Sequence, residues 1–190
     1  MQLSLTGILI DMRKSTRGFT LVEIIIVIIV LGILAAIVVG IYSTSQARTR
    51  DTKRRADIIN ISKALELYYD DNGQYPAANP SGTTVPGLNS YWYESADASW
   101  AKFATQMSGQ IDSLPKDPLN VALSPHNTAN GYSYAYLSYT TWCNNRPYQW
   151  YILVFRYEVT QKERLGSGTC PDGLGNTYFN NGASIYLMVR

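Results

Sequence analysis

A long apolar run close to the start of the chain limits what this sequence can fold into more than any other feature. Between Phe19 and Tyr42, Glu23 is the only ionisable side chain, and nearly all the others are Ile, Val, Leu, Ala or Gly. A helix of about 17–25 such residues spans a bilayer, whereas the apolar part of a secretory signal peptide has only about 7–15. The run therefore favours a membrane anchor, or a helix that leaves the bilayer to pack inside a protein filament, over a signal peptide.

Glu23 is the residue in this run that needs an explanation. A charge near the centre of a membrane-spanning helix costs about 2.5–3.5 kcal/mol on insertion scales, and such residues are functional candidates. Glu23 lies only four residues into the run, so its side chain can reach the interface and its cost is smaller. Packing in a filament is the one interpretation that gives this carboxylate a role. The alternative is an interfacial carboxylate that is simply tolerated.

Several residues around Glu23 form a recognisable pattern. They are Gly18, Phe19-Thr20-Leu21-Val22-Glu23, Gly32-Ile33-Leu34-Ala35-Ala36-Ile37 and Tyr42. This pattern resembles the N-terminus of type IV pilins and of type II secretion pseudopilins. The similarity is specific across residues 14–42 and weaker through Pro76. It implies cleavage after Gly18 by a prepilin peptidase, N-methylation of Phe19, and assembly into a helical filament on an inner-membrane platform.

Cleavage would give Phe19 and Glu23 a joint role in assembly. Phe19 would then carry a positive α-amine at the edge of an apolar helix, and Glu23 of a neighbouring subunit can pair with it. The two charges attract strongly where the dielectric constant is low, and either one alone would be penalised. The pairing also sets the axial register of subunits, because a misplaced subunit leaves both charges unpaired.

The leader implied by this cleavage has an ambiguous start. A chain that begins at Met12 would have the short basic leader Met12-Arg13-Lys14-Ser15-Thr16-Arg17-Gly18, whereas a start at Met1 adds a partly apolar extension. We expect translation to begin at Met12, which would make residues 1–11 a misassigned start. The charge distribution alone would place the C-terminal part in the cytoplasm, because residues 48–55 carry more cations than the leader does. The resemblance implies the opposite side, and we follow it.

The whole chain divides into a leader and three further segments. The sequence predicts a leader at 1–18, a transmembrane and filament-core helix at 19–42, an amphipathic half of the same helix at 43–72, and a globular head at 73–190. The helix is expected from Phe19 to about Asp70, since no proline interrupts it and Asn72-Gly73 is a stop signal. Apolar residues at 3-4-3 spacing form one stripe on its second half: Ile58, Ile61, Leu65 and Tyr68.

The head carries strand patterns that define the fold class. Strands are predicted at 132–136, 149–157 and 183–189, and a short helix at 95–107. We therefore expect an α+β fold in which the amphipathic half of the long helix packs on an antiparallel sheet of about three to four strands.

The two cysteines, Cys143 and Cys170, both lie in the head. In an exported domain they are expected to form one disulfide, which would close a loop of roughly 28 residues and stabilise the fold by about 3–4 kcal/mol. The alternative is two buried free thiols. The sequence has no CxxC motif and no Cys/His cluster, so it gives little support to a metal or redox site.

Residues 48–55 form the strongest basic patch. Its cations are Arg48, Arg50, Lys53, Arg54 and Arg55. Such a patch can attract DNA or anionic lipid. We favour the alternative, in which the cations pair with Asp51, Asp57 and acidic groups of adjacent subunits.

Other candidate sites are weak. Asp172 and Asn176 could bind calcium, as the C-terminal loop of major pseudopilins does, but oxygen ligands are sparse there. His126 is the only histidine, and no nucleophile or carboxylate flanks it. We predict no catalytic residue, no metal and no other cofactor, so the chain is not expected to be an enzyme.

The sequence thus predicts a structural subunit of a type IV pilus that serves adhesion, motility or DNA uptake. The nearest alternative is the major pseudopilin of a type II secretion system. An alternative of another class is a monomeric, membrane-tethered extracellular binding module. The expected partners are copies of the chain itself, a prepilin peptidase, the assembly platform and the membrane before assembly; nucleic acid is left open. The chain is expected first as a single-helix membrane precursor and then in an extracellular filament.

Overall fold

A computed structural model describes residues 18–78, 91–121, 131–140, 142–171, 173 and 175–190, without the side chains of residues 38–41, 142 and 144. The chain divides into two compact units, Met1–Tyr42 and Ser43–Arg190, and each is described by itself. Most of the predicted leader, His126 and Asp172 lie outside the described residues.

Helix α1 spans Leu21–Asn72, so the long helix predicted from the sequence is present. Its end is set by Gly73, whose φ of 68° lies in the left-handed region that favours glycine. The N–H of Gly73 donates to the carbonyl of Tyr69 at 2.7 Å and caps the last turn. The observed ends differ from the predicted ones by two residues, which is the usual uncertainty of helix boundaries.

In the described residues, five strands and three shorter helices follow. The strands are β1 (Tyr93–Glu94), β2 (Ala135–Leu137), β3 (Trp150–Phe155), β4 (Arg164–Ser167) and β5 (Ser184–Val189). The helices are α2 (Ser99–Gln106), α3 (Trp142–Asn145) and α4 (Asn176–Asn180). The predicted strands correspond to β2, β3 and β5, and the predicted short helix contains α2.

The strands form one sheet in the order β1-β2-β3-β5-β4. Three of the pairs are antiparallel, and β4 runs parallel to β5. The α+β class is therefore confirmed, but the sheet is mixed and has five strands rather than the three or four antiparallel strands expected. The sequence did not indicate β4 because its residues are mostly exposed and include Gly166, so they show no alternation of apolar and polar side chains.

The second half of α1 packs on one face of this sheet, which we call the near face. Ile58, Ile61 and Leu65 are fully buried there, as the 3-4-3 stripe predicts. On β3, Tyr151 lies on the near face, and its ring centroid is 4.7 Å from that of Tyr75. Alternate residues of a strand point to opposite faces, so Ile152 lies on the other, far face.

The far face is covered by residues 168–171, 173 and 175–182, which we call the excursion. A methyl group at Gly175 would meet the Cδ1 atoms of Ile185 and Ile152, which shows how closely the excursion approaches the sheet. The disulfide between Cys143 and Cys170 ties the start of the excursion to α3. This is the pairing that the sequence predicts.

Candidate assembly site

The start of α1 is closed by a reciprocal pair of side chains. The backbone N–H and the hydroxyl of Thr20 both donate to Oε2 of Glu23 at 2.8 Å. In return, the N–H of Glu23 donates to Oγ1 of Thr20 at 3.3 Å. This is the capping box that a Thr-x-x-Glu sequence forms at a helix start. Thr20 was not among the predicted site residues, although its spacing from Glu23 is a recognised sequence signal.

The capping box leaves one oxygen of Glu23 available. Within the described part of the chain, every hydrogen bond to this carboxylate ends on Oε2. Oε1 can therefore accept from a cation outside this unit without any loss of the cap. The cap gives Glu23 a local structural role, and its predicted role in subunit assembly stays a prediction.

The residues that flank this site are accessible. Gly18 and Phe19 precede the helix in irregular backbone, and the Phe19 side chain is 84% exposed. A peptidase can reach the bond between them. The structure does not test the predicted cleavage or the N-methylation of Phe19, and both stay predictions.

Apolar side chains surround the first half of α1 on all sides. From Leu21 to Ile37 the large apolar side chains are all exposed in this unit. In the described part of the chain, α1 is the one helix whose length and composition would let it cross a membrane. An apolar helix without a polar face needs lipid or other apolar helices around it.

The basic patch on the second half of α1 is largely occupied by carboxylates of the same chain. Arg50 forms a bidentate pair with Glu158, with N–O distances of 2.6 and 2.7 Å. The other pairs are Lys53 with Asp57 at 2.8 Å and Arg55 with Glu163 at 3.1 Å. These pairs support pairing with acidic groups and weaken the nucleic-acid interpretation. Asp57 is a partner as expected, but Glu158 and Glu163 belong to the same chain, where the prediction had named acidic groups of adjacent subunits.

Arg54 lies at the centre of a buried ion cluster, and its side chain has no exposed surface. Its Nε and Nη2 donate to the carboxylate of Asp117 at 2.7 and 3.0 Å. Its Nη1 donates to Asp51 at 2.8 Å and to Glu158 at 2.7 Å. Burial alone would lower the pKa of Arg54, but its hydrogen bonds to Asp117 and Glu158 raise it above the usual value.

The carboxylates of this cluster are held by further donors. Asp51 accepts the backbone N–H groups of Glu158, Val159 and Thr160 at 2.8–3.0 Å. Burial raises the pKa of Asp51, but these three N–H bonds outweigh it and hold the pKa below the usual value. The hydrogen bond from Arg50 lowers the pKa of Glu158 in the same way. The cluster therefore fixes the segment after β3 against α1.

No metal site is apparent in the described residues. They contain no group of three or more His, Cys, Asp or Glu side chains that could hold a metal ion. Asn176 begins α4, and its N–H donates to the carbonyl of Gly173 at 2.9 Å. The calcium prediction also depends on Asp172, which lies outside the described residues, so it stays a prediction.

Comparisons with known proteins agree with the pattern at the N-terminus. The prokaryotic N-terminal methylation motif matches residues 13–39. The type II secretion system core protein G of Klebsiella michiganensis is 37% identical over 106 residues, which are 56% of this chain and 70% of that protein. The protein of the same name from Aeromonas hydrophila is 33% identical over 106 residues, or 56% and 69% of the two chains.

A third relative gives the same result. The type II secretion system core protein G of Vibrio cholerae is 36% identical over 107 residues, which cover 56% of this chain and 67% of that protein. No solved structure matches the chain. The predicted resemblance to pilins and pseudopilins is confirmed, and between the two the comparisons favour the pseudopilin that the sequence gave as the alternative to a type IV pilin.

Proposed function

Since the chain belongs to the family of the type II secretion system core protein G, we propose that it is a pseudopilin, a structural subunit that polymerises through the first half of α1 into a secretion filament. The observation that carries the proposal is the likeness over two thirds or more of these relatives' length. Like other members of this family, the chain is a structural protein and not an enzyme.

Processing is the first step of the proposed function. The precursor rests in the membrane through the apolar half of α1, with the head on the far side from the leader. A prepilin peptidase cuts after Gly18, which lies in exposed, irregular backbone. The new α-amine then belongs to Phe19 and becomes N-methylated. The apolar surface of the helix supports this step, because it needs lipid around it until other subunits replace the lipid.

Assembly is the second step. The α-amine of Phe19 in one subunit pairs with Glu23 of its neighbour, and Oε1 is the oxygen that the capping box leaves for it. Two unit charges about 4 Å apart attract by about 4 kcal/mol at an effective dielectric constant of 20. Because Thr20 already orients the carboxylate, little side-chain freedom is lost when the pair forms.

The head follows the helix into the filament. The Arg54 cluster and the buried stripe on α1 hold the sheet and the second half of α1 as one unit. The head and the second half of α1 therefore enter the filament together.

A surface fibre of the type IV pilus class is the second candidate. The disulfide-tied excursion favours it, because exposed fibres must survive outside the cell and a disulfide restrains the unfolded chain. Fibre length and location separate the two candidates. Long fibres sheared from the cell surface would support the pilus, and short filaments that remain with the cell envelope would support the pseudopilus.

The experiment that tests the proposal is a comparison of two variants at one position. Both Glu23→Ala and Glu23→Gln remove the charge, but glutamine retains the ability to close a capping box. We expect both variants to be cut and inserted in the membrane, and neither to form filaments. The N-terminal peptide would be identified by mass spectrometry, and filaments by sedimentation and electron microscopy.

Each other outcome has a definite meaning. Filaments from Glu23→Gln but not from Glu23→Ala would show that assembly needs Glu23 only as a helix cap and not as a charge. Filaments from both would remove the charge pair from the mechanism. A wild-type chain that remains uncut and monomeric would overturn the proposed function and favour the membrane-tethered binding module.

A further inference from the structure

A cavity opens on the far face at the edge of the sheet, below the excursion. Its volume is about 250 Å³. Ile185 and Leu187 of β5 form its floor, and Cys170, Gly173 and Asn176 of the excursion form one wall. Gly166 of β4 and Gly168 also line it, where the backbone passes so close to β5 that a methyl group on either would collide with Leu187 or Val189. We call it the edge cavity. Neither the charge pair at Glu23 nor the Arg54 cluster uses it.

One cation lines the edge cavity, and a second lies next to it on the same aromatic ring. Arg164 lines it, and its guanidinium carbon lies 4.2 Å from the centre of the Phe179 ring. Lys162 lies 4.4 Å from the same ring, and its ammonium donates to the carbonyl of Phe179 at 2.8 Å. Both side chains are exposed. Among the described residues, neither pairs with a carboxylate. The edge cavity therefore has an apolar floor within a partly polar lining, and its two neighbouring cations pair with no carboxylate among the described residues.

The same chain exposes a surface of opposite character on α1. Leu67 is 54% exposed, although it lies on the amphipathic half of the helix. Asp70 and Asp71 follow at three and four residues, so their side chains lie beside it. Both carboxylates are exposed, and Asp71 accepts one hydrogen bond, from Gln110 at 3.1 Å. Lys63, one turn before Leu67, bounds this surface on the other side. We call Leu67, Asp70 and Asp71 the acidic knob.

The two surfaces lie on opposite sides of the head. The residues that face the sheet, such as Ile61 and Leu65, lie on the reverse side of the helix from Leu67. The acidic knob therefore points outward from the near-face side, and the edge cavity opens on the far face. A contact between complementary patches on opposite sides of one molecule joins copies head to tail, and such contacts build open helical filaments when their rotation does not close into a ring.

We propose that the edge cavity of one subunit receives the acidic knob of the next, with Leu67 in the hollow and its two aspartates on Arg164 and Lys162. The occupant is a second copy of this chain, because the two carboxylates and the leucine of its acidic knob complement the cations and the apolar floor of the cavity. This inference rests on the proposed function, since it needs subunits that polymerise. It adds a specific contact between heads to the contact between N-terminal helices.

The first test is a photo-cross-link on the full chain in cells. The cross-linking amino acid p-benzoylphenylalanine replaces Leu67, and Thr105, which is exposed on α2, is the control position. We expect dimers from position 67 whose linked peptide falls within residues 161–176 of another copy, and few from position 105. Wild-type filaments without that adduct would overturn the contact and leave the proposed function standing. Absence of wild-type filaments would overturn both.

The second test is a charge exchange, which does not require a bulky residue at position 67. Asp70→Arg and Arg164→Asp should each lower the amount of sedimenting filament about tenfold, because like charges then face each other. The double variant should recover to within about twofold of the wild type. Lys102→Asp on α2 is the matched control and should have no effect. Single variants that assemble like the wild type, or a double variant no better than the singles, would overturn the proposal.

Discussion

The two halves of α1 belong to one helix but meet their surroundings in opposite ways. Up to Ile37 the first half exposes apolar side chains on all sides, and its one carboxylate is held by Thr20. The second half buries a narrow apolar stripe and places four of its six cations against carboxylates of its own chain. The comparison teaches that the second half obtains its stability from packing within one subunit, whereas the first half requires lipid or other subunits around it.

The largest expected effect comes from the buried ion cluster of the second half. Arg54→Met removes the cation and leaves Asp51 and Asp117 buried without it, which should lower the free energy of unfolding by about 3–5 kcal/mol. Arg55→Met is the control, because its pair with Glu163 is largely exposed and contributes at most about 1 kcal/mol. Chemical denaturation of the full chain in detergent measures both. Equal losses would show that the cluster is no more important than a surface pair.

Isoleucines in the two halves provide a matched pair of substitutions. Ile61→Ala in the second half should lower the free energy of unfolding of the head by about 2–5 kcal/mol, because Ile61 is fully buried. Ile28→Ala in the first half should leave that free energy nearly unchanged, because the Ile28 side chain has no covering within the chain. Chemical denaturation of the full chain in detergent measures the free energy of unfolding of both variants. A comparable loss from Ile28→Ala would contradict the division of the helix.

Acid should lower the free energy of unfolding of the head through the carboxylates that surround Arg54. The folded pKa values of Asp51 and Glu158 lie below the usual values of about 3.9 and 4.3. Their contribution is therefore fully present above those usual values and is lost as the pH falls through the lower folded pKa values. Denaturation at pH 7 and at about pH 3 should show a loss of stability that is smaller in Glu158→Gln. An equal acid loss in that variant would exclude Glu158 as a contributor.

The smallest expected effect is at the start of the first half. Thr20→Ala removes the cap but retains the Glu23 carboxylate, and it should weaken the first turn of α1 by about 0.5–2 kcal/mol. Filaments should still form, at a lower yield, because the charge pair remains. Thr20→Ser preserves the cap and is the control. Sedimentation of filaments from the three proteins provides the comparison. Complete loss of filaments in Thr20→Ala would mean that orientation of the carboxylate matters as much as its charge.

Sequence patterns predicted the parts of this fold that are local. The long helix, its stop at Gly73 and the strong strand β3 follow from spacing and composition over short windows. The cysteine pair followed from export and an even count. The capping box at Thr20 was also within reach, because Thr-x-x-Glu is a local signal.

The parts that could not be predicted depend on distant residues. Arg54 meets Asp117 and Glu158, which lie 63 and 104 positions away. The sequence showed only a dense cluster of cations. Such a cluster is as typical of a surface that binds nucleic acid or lipid as it is of ion pairs within the chain. Strand β4 was missed for a related reason. It is held by parallel pairing with β5 rather than by an apolar pattern of its own.

The disulfide has a consequence for when a subunit becomes ready to polymerise. Cys170 is part of the wall of the edge cavity, and its bond to Cys143 ties that wall in place. Such bonds form in oxidising compartments and not in a reducing cytoplasm. On the proposed function the head is exported, so the disulfide and the cavity wall that it restrains would form only after export, and subunits without that wall would not make the proposed contact between heads.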